Sequence, residues 1–142
     1  MSNHHTYINK NHSHSTASDD ISRVWKMMEK IDFCILTSNA KDQFLSRPMS
    51  SICKSDKGLI YFLSNATAEQ LSAIKHNSKV LLTYSDGSKT FVALRGDATI
   101  SKDRALIKRL WNTGAGIFAR RAGNFRRSCH CRLPKISRIL GR

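Results

Sequence analysis

The sequence lacks long hydrophobic runs. Its longest apolar stretches, such as Val80-Leu81-Leu82 and residues 91–94, are far shorter than the roughly 20 residues that a membrane-spanning helix needs. Residues 1–17 are polar and rich in histidine, and they have no apolar centre of the kind that marks a secretory signal. These absences argue against a membrane-spanning helix and predict a cytoplasmic protein.

Acidic residues are missing from the last fifth of the chain. Residues 114–142 hold eight Lys and Arg side chains and no Asp or Glu, whereas residues 1–113 hold the other 16 basic and all ten acidic side chains. A tail of this composition binds nucleic acid or anionic surfaces through the release of counterions. Binding of nucleic acid or another anion through the basic tail is therefore one function to consider.

Patterns typical of hydrolases and metal enzymes are also absent. No nucleophile is spaced with a base and no carboxylate pair stands out, so the catalytic residues, if any, are not identified. Cys34 and Cys53 lie in strand-like runs, which is typical of reduced, buried thiols. Cys129-His130-Cys131 is too compact to supply four tetrahedral zinc ligands, and we predict no metal site.

The 142 residues are enough for one folded domain. We divide the chain into a disordered leader at residues 1–17, a folded domain at 18–113 and a basic tail at 114–142. Hydrophobic periodicity predicts helices at residues 18–30, 67–76 and 103–111, and strands at 31–38, 44–53, 59–65, 79–85 and 89–101. Short antiparallel strands with few peripheral helices favour a mainly β fold, a small barrel, over a doubly wound sheet.

The second and third predicted strands carry a candidate anion-binding constellation. Arg47 lies mid-strand before Pro48, which cannot donate a ladder hydrogen bond, so this strand is expected to serve a ligand as well as a neighbouring strand. Ser64 and Thr67 lie where the third strand passes into a helix, and a helix start favours anions. A phosphate-bearing cofactor with an aromatic ring would find a cationic clamp and a strand edge here.

These residues also have explanations that need no ligand. Arg47 can extend to solvent or pair with Asp32 or Asp97. Thr67 and Gln70 fit a Thr-x-x-Gln capping box, which would account for both residues within the helix itself. The residues alone leave these alternatives open.

Six segments occur in a recognisable order: Val24-Trp25, Ile31-Asp32-Phe33, Ser46-Arg47-Pro48-Met49, Ile60-Tyr61-Phe62-Leu63-Ser64, Phe91-Val92-Ala93-Leu94-Arg95-Gly96-Asp97-Ala98, and Asp103-Arg104 to Leu110-Trp111-Asn112. On this set the chain resembles the FMN-binding split-barrel proteins related to pyridoxamine 5′-phosphate oxidase, especially their short general stress protein branch. The resemblance implies a six-stranded antiparallel split β-barrel that forms a homodimer and holds two FMN molecules in grooves between the subunits.

The resemblance also implies roles for individual residues: Arg47 on the phosphate of FMN, Pro48, Met49 and Ser50 along the flavin ring, Leu63 and Ser64 beside the ribityl phosphate, and Trp111 approaching from the partner chain. Met49 and Trp111 are otherwise residue types more often found in cores. The family usually has a phosphate-binding lysine at the position of Gln70, so FMN affinity is expected to be about tenfold weaker or more. The implied function is FMN binding, extending to a flavin-dependent oxidoreductase with a small-molecule electron donor or acceptor.

The resemblance stops after Asn112. The family continues with an aromatic-proline stretch, an acidic segment and a final strand, whereas this chain turns basic and shows no strand periodicity. The simultaneous loss of acids and of resemblance is typical of a shifted reading frame or a truncated gene, and a functional basic tail is the alternative. Either way, the barrel is expected to be incomplete at its C-terminal end.

Overall fold

The computed structural model describes residues 17–64, 68–112 and 127–132. Within these ranges the chain forms three α-helices, one short 3₁₀-helix at Ser55–Lys57 and seven β-strands. The helices are α1 (Ala17–Ile31), α2 (Ala68–His76) and α3 (Arg104–Asn112), and the strands are β1 (Phe33–Ala40), β2 (Gln43–Ser50), β3 (Ile52–Lys54), β4 (Leu59–Ser64), β5 (Lys79–Ser85), β6 (Phe91–Ser101) and β7 (Arg127–Arg132).

Helix α1 follows from its charge and apolar spacing. Asp19 and Asp20 lie in its first turn and Lys30 in its last, where each charge favours the helix dipole. Trp25 and Met28, three residues apart, are both buried against the sheet. The helix covers β3, β5 and β6, and none of the described helices combines the length and apolarity that crossing a membrane requires.

All strand pairs are antiparallel, in the order β2-β1-β5-β6-β7-β4-β3. The two ends of this order approach each other, because β2 contacts β4 without a paired ladder between them. The sheet therefore curls towards a barrel and stays open at one seam. This confirms the mainly β, split-barrel architecture expected from the sequence.

The core fills the inside of the curled sheet. Strands β1, β5 and β6 alternate buried and exposed residues, which is the period of a strand with one face inward. Strand β4 adds Ile60 and Phe62, both fully buried. The inward residues of β1, β5 and β6 are Cys34, Leu36, Val80, Leu82, Tyr84, Val92, Leu94 and Ala98.

The predicted strand at residues 44–53 is two strands separated by Ser51. The Ser51 amide and its hydroxyl both donate hydrogen bonds to the carbonyl oxygen of Asp32, each at 2.9 Å. Ser51 is thereby anchored to the start of β1, and the chain leaves the β2 ladder there to pair with β4 as β3. Hydrophobic periodicity does not reveal this break because no turn residue marks it.

The basic tail contributes a strand where the sequence predicts none. Strand β7 lies between β6 and β4 and pairs with both. Cys129 and Cys131 stand opposite Phe62 and Ile60 on β4, which are buried. Residue 113, residues 114–126 and 133–142 of the tail, and residues 1–16 of the leader lie outside the described residues.

We expect β7 to be essential for folding. A chain ending at residue 113 would leave β4 and β6 each without one neighbouring strand, and their unpaired backbone groups would be exposed. This chain should give no cooperative thermal transition in far-UV circular dichroism, whereas a control chain ending at residue 132 should melt like the full-length protein. Cooperative melting of the shorter chain near the temperature of the full-length one would contradict this role of β7.

Candidate functional site

The residues expected to bind the cofactor lie on two strands that meet at the open seam. Arg47, Pro48, Met49 and Ser50 are on β2, and Leu63 and Ser64 end β4. In the sheet β2 pairs with β1 alone, so its other edge faces the seam where β4 approaches. The structure therefore brings the two strands that carry the predicted halves of the site into contact.

The β2 residues divide between the two faces of the sheet. Arg47 and Met49 stand opposite the buried Leu36 and Cys34 of β1, and both are half-buried. Pro48 is exposed on the other face, opposite Ile35. The residues on both faces share the backbone edge of β2. A flat ring that lies along this edge would therefore contact all of these residues only through their main-chain atoms.

Asp32 braces the end of β2, a role that sequence periodicity did not indicate. It has a positive φ of 69°, a conformation that Asp tolerates better than most residues. Its Oδ1 atom accepts a hydrogen bond from the Ser50 hydroxyl at 3.1 Å, beside the Ser51 bonds to its carbonyl oxygen. The Asp97 carboxylate is held by Lys79 at 2.6 Å. The pairing of Arg47 with Asp32 or Asp97 stays a prediction.

The end of β4 supplies a buried hydroxyl near a helix start. Ser64 is only 7% exposed, and α2 begins four residues later at Ala68. The first turn of α2 carries Glu69, whose exposed carboxylate repels an anion at this terminus. Gln70 is the third residue of α2; its side chain, Asn65 and Thr67 lie outside the described residues, so the capping-box interpretation stays a prediction.

Trp111 lies near the end of α3 and is half-buried. Asp103 caps this helix by accepting hydrogen bonds from the amides of Ala105 and Leu106 at 2.9 and 3.3 Å. Ile107 and Leu110 are buried, and the helix packs on β4 and β7 of its own chain. The predicted approach of Trp111 to the cofactor of a partner chain stays a prediction.

Met49 lies next to a cluster of buried polar side chains. Met49, Cys34 and Tyr84 are neighbours across β2, β1 and β5, and Cys53 and Ser51 complete the cluster. Burial raises the pKa of the Cys34 thiol to about 12 and that of the Cys53 thiol to about 11, and it raises the pKa of Tyr84 as well. The Tyr84 hydroxyl is fully buried beside the thiols without a well-formed hydrogen bond. These groups are protonated at neutral pH and are poor nucleophiles.

A family model described as pyridoxamine 5′-phosphate oxidase like matches residues 19–122 of the chain. The match covers every described element from α1 to α3 and extends into the segment where the sequence showed no resemblance. No curated protein matches the chain.

Several solved structures share the fold. A Clostridium acetobutylicum protein related to general stress protein 26, of the pyridoxinephosphate oxidase family, is 16% identical over 83% of this chain and 86% of its own, with a TM-score of 0.69. General stress protein 26 of Bacillus anthracis is 14% identical over 80% and 88%, with a TM-score of 0.65. A FAD-binding protein of Mesorhizobium loti is 10% identical over 80% and 89%, with a TM-score of 0.63.

We expect the thiol of Cys34 to resist alkylation in the folded protein. A pKa of about 12 leaves almost no thiolate at pH 8. Iodoacetamide at that pH should modify Cys34 about 100-fold or more slowly in the native chain than in urea, where an ordinary thiol pKa returns. Half-buried Cys53 should react faster than Cys34. Peptide mapping by mass spectrometry measures both, and equal rates for Cys34 in native and unfolded protein would contradict the expectation.

Proposed function

Since the chain belongs to the pyridoxamine 5′-phosphate oxidase like family, we propose that it binds FMN non-covalently at the seam between β2 and β4. The observation that supports the proposal is the contact between β2, which carries Arg47, and β4, which ends in the buried Ser64. A cation, a hydroxyl and an unpaired strand edge are the groups that a flavin phosphate and a polar ring edge require.

The described residues fit FMN in the following way. Arg47 holds the phosphate by charge, and the Ser64 hydroxyl donates to it. The polar edge of the ring lies along the backbone of β2, whose end is fixed by the Ser50–Asp32 hydrogen bond. Met49 lies against the core cluster and supports this strand from the inside.

Bound FMN supplies one- and two-electron redox chemistry, and the protein supplies its placement. The buried thiols and Tyr84 are protonated, so they do not compete as nucleophiles or bases at neutral pH. We therefore infer an oxidoreductase function for the FMN form, with a small-molecule electron donor or acceptor. The cytoplasmic location stays a prediction from the sequence.

The apolar part of the outer sheet face supports the proposal of a homodimer. Phe33, Ile35 and Phe91 are 37%, 42% and 70% exposed on β1 and β6. Pro48 and Ala93 are exposed on the same face. These apolar residues flank the small polar residues Thr83 and Ser85 of β5. A largely apolar, uncharged surface of this kind is typical of an interface, and a second copy covering it would lie next to β2. The flavin site would then border the subunit interface.

The FMN proposal predicts a retained yellow colour. Purified protein incubated with FMN and desalted should keep flavin absorbance in the visible range. Arg47→Ala should weaken binding about 10- to 100-fold, because a charge-assisted hydrogen bond contributes about 1.5–3 kcal/mol. Arg23→Ala, which removes an exposed arginine of α1, is the matched control and should bind like the parent.

A variant that is expected to bind FMN more tightly than the parent tests the same site in the opposite direction. Gln70→Lys restores an ammonium near the phosphate and should strengthen FMN binding by about tenfold by the same arithmetic. A folded parent that stays colourless, with Gln70→Lys also colourless, would refute FMN binding at this seam. Equal retention by the parent and Arg47→Ala would remove Arg47 from the site.

The dimer proposal predicts a concentration-dependent association that Phe91→Lys weakens. A two-fold interface loses the side chain twice, and burial of each phenylalanine contributes about 1.5–3 kcal/mol, so the dissociation constant should rise about a hundredfold or more. Sedimentation velocity over a dilution series measures this. Phe44→Lys, at the far end of the same face, is the control and should leave the association unchanged. A parent that sediments as a monomer at high concentration would contradict the proposal.

A further inference from the structure

Two cross-strand rows of side chains lie together at the end of the outer sheet face away from Phe33 and Phe91. The strand registers define them: one row is Ser46, Thr37, Leu81 and Arg95, and the next contains Phe44 beside Asn39, and Lys79 beside Asp97. The Thr37 and Ser46 hydroxyls share a hydrogen bond of 2.8 Å, which fixes the first row on β1 and β2. The rows thus combine an aromatic ring at one end with charged groups at the other.

All of these residues except Ser46 line a cavity of about 610 Å³. Most of its exposed wall is apolar, and Asn77, which lies between α2 and β5, also lines it. Cavities of roughly 300–1,000 Å³ with mainly apolar walls and a few polar groups are typical of small-molecule sites. None of the residues expected to bind FMN lines it, so this cavity is separate from the seam between β2 and β4.

The charges in the cavity leave one cation without an anionic partner. The Asp97 carboxylate binds Lys79 at 2.6 Å and accepts a hydrogen bond from the Ser78 hydroxyl at 3.1 Å. Arg95 is exposed and forms no ion pair with any side chain in residues 17–64 and 68–112. Among the lining residues, Lys79 and Asp97 neutralise each other, so the guanidinium of Arg95 leaves these residues with a net charge of +1, which favours a monoanion.

The exposed apolar side chains in the cavity favour a ligand in which a flat ring carries the anionic group. Phe44 is 74% exposed and Leu81, next to Arg95 in its row, is 39% exposed. A ring placed over Leu81 would cover both side chains and bring its acidic group to Arg95. Phe44 and Arg95 are three strand spacings and one row apart, roughly 16 Å between their backbones, which is room for two fused rings bearing a carboxylate.

We propose that this cavity binds a small aromatic carboxylate, with its ring between Phe44 and Leu81 and its carboxylate on Arg95. The site takes a ligand different from FMN and does not depend on the flavin proposal. A second copy of the chain seated on this end of the face is the competing occupant that the experiment must exclude.

The probe is 2-naphthoate, titrated into the full-length protein by isothermal calorimetry. We expect saturable binding of one molecule per chain. Arg95→Gln should weaken it about tenfold or more, since a charge-assisted contact is lost. Phe44→Ser should weaken it several-fold, and the matched control Arg104→Gln, an exposed arginine of α3, should leave it unchanged.

The neutral analogue naphthalene-2-carboxamide provides a test that needs no variant, and it should bind the parent about tenfold more weakly than the carboxylate. Absence of saturable binding, equal affinity of the amide, or equal affinity of a folded Arg95→Gln protein would overturn the proposal. Displacement of 2-naphthoate by FMN would overturn it too, because the ligand would then occupy the flavin site. Loss of a dimer in Phe44→Ser, measured by sedimentation, would assign this end of the face to a second copy instead.

Discussion

The two ladders that β7 forms with β6 and β4 hold the rest of the architecture together. Strands β2, β1, β5 and β6 form one continuous half of the sheet, and β4 and β3 form the other. Strand β7 is the hydrogen-bonded link between these halves in the described structure. The candidate flavin site lies where β2 meets β4, and its two sides are held both by β7 and by the chain that runs from β2 through Ser51 into β3, which pairs with β4. The basic tail therefore has a structural role at residues 127–132, which form β7.

The outer face of the sheet has two chemically different ends. Phe33, Ile35 and Phe91 give one end an apolar surface with no charged group in the same rows. The other end holds Arg95 and the Lys79–Asp97 pair beside Phe44. A protein surface tolerates burial against another copy best where no charge must be desolvated, and a small anion binds best where a cation lacks a partner. These two costs favour the division of one face between a subunit and a ligand that we propose.

Local sequence patterns predicted most elements well, and they failed where pairing is decided at long range. The alternation in residues 79–85 matches β5 at both ends, and Asp19, Asp20 and Lys30 mark α1 closely. The break at Ser51 depends on Asp32, 19 residues earlier, and no local signal marks it. Strand β7 was missed because its basic residues conceal the alternation, while its pairing partners lie on β4 and β6.

The candidate sites show the same limit. The sequence identified Arg47 and Ser64, since a mid-strand arginine and a strand-to-helix step are local features. The sequence alone did not assign Arg47 and Met49 to one face of β2 and Pro48 and Ser50 to the other. Alternation along a strand requires this assignment once the inward face of the sheet is known. The cavity at Arg95 joins four strands, and its rows become visible only through the registers.

Charge at the helix start bears on how strongly the seam would hold FMN. Glu69 stands in the first turn of α2, and Gln70 stands where the family resemblance implies a lysine, so this terminus attracts a phosphate dianion weakly. More of the affinity must then come from the ring along β2 and from whatever covers the apolar end of the outer face. If a second copy covers it, flavin binding and dimerisation share residues of β2 and are linked, and each strengthens the other by the same factor. In that case the occupancy of the proposed flavin site would depend on the concentration of the protein itself.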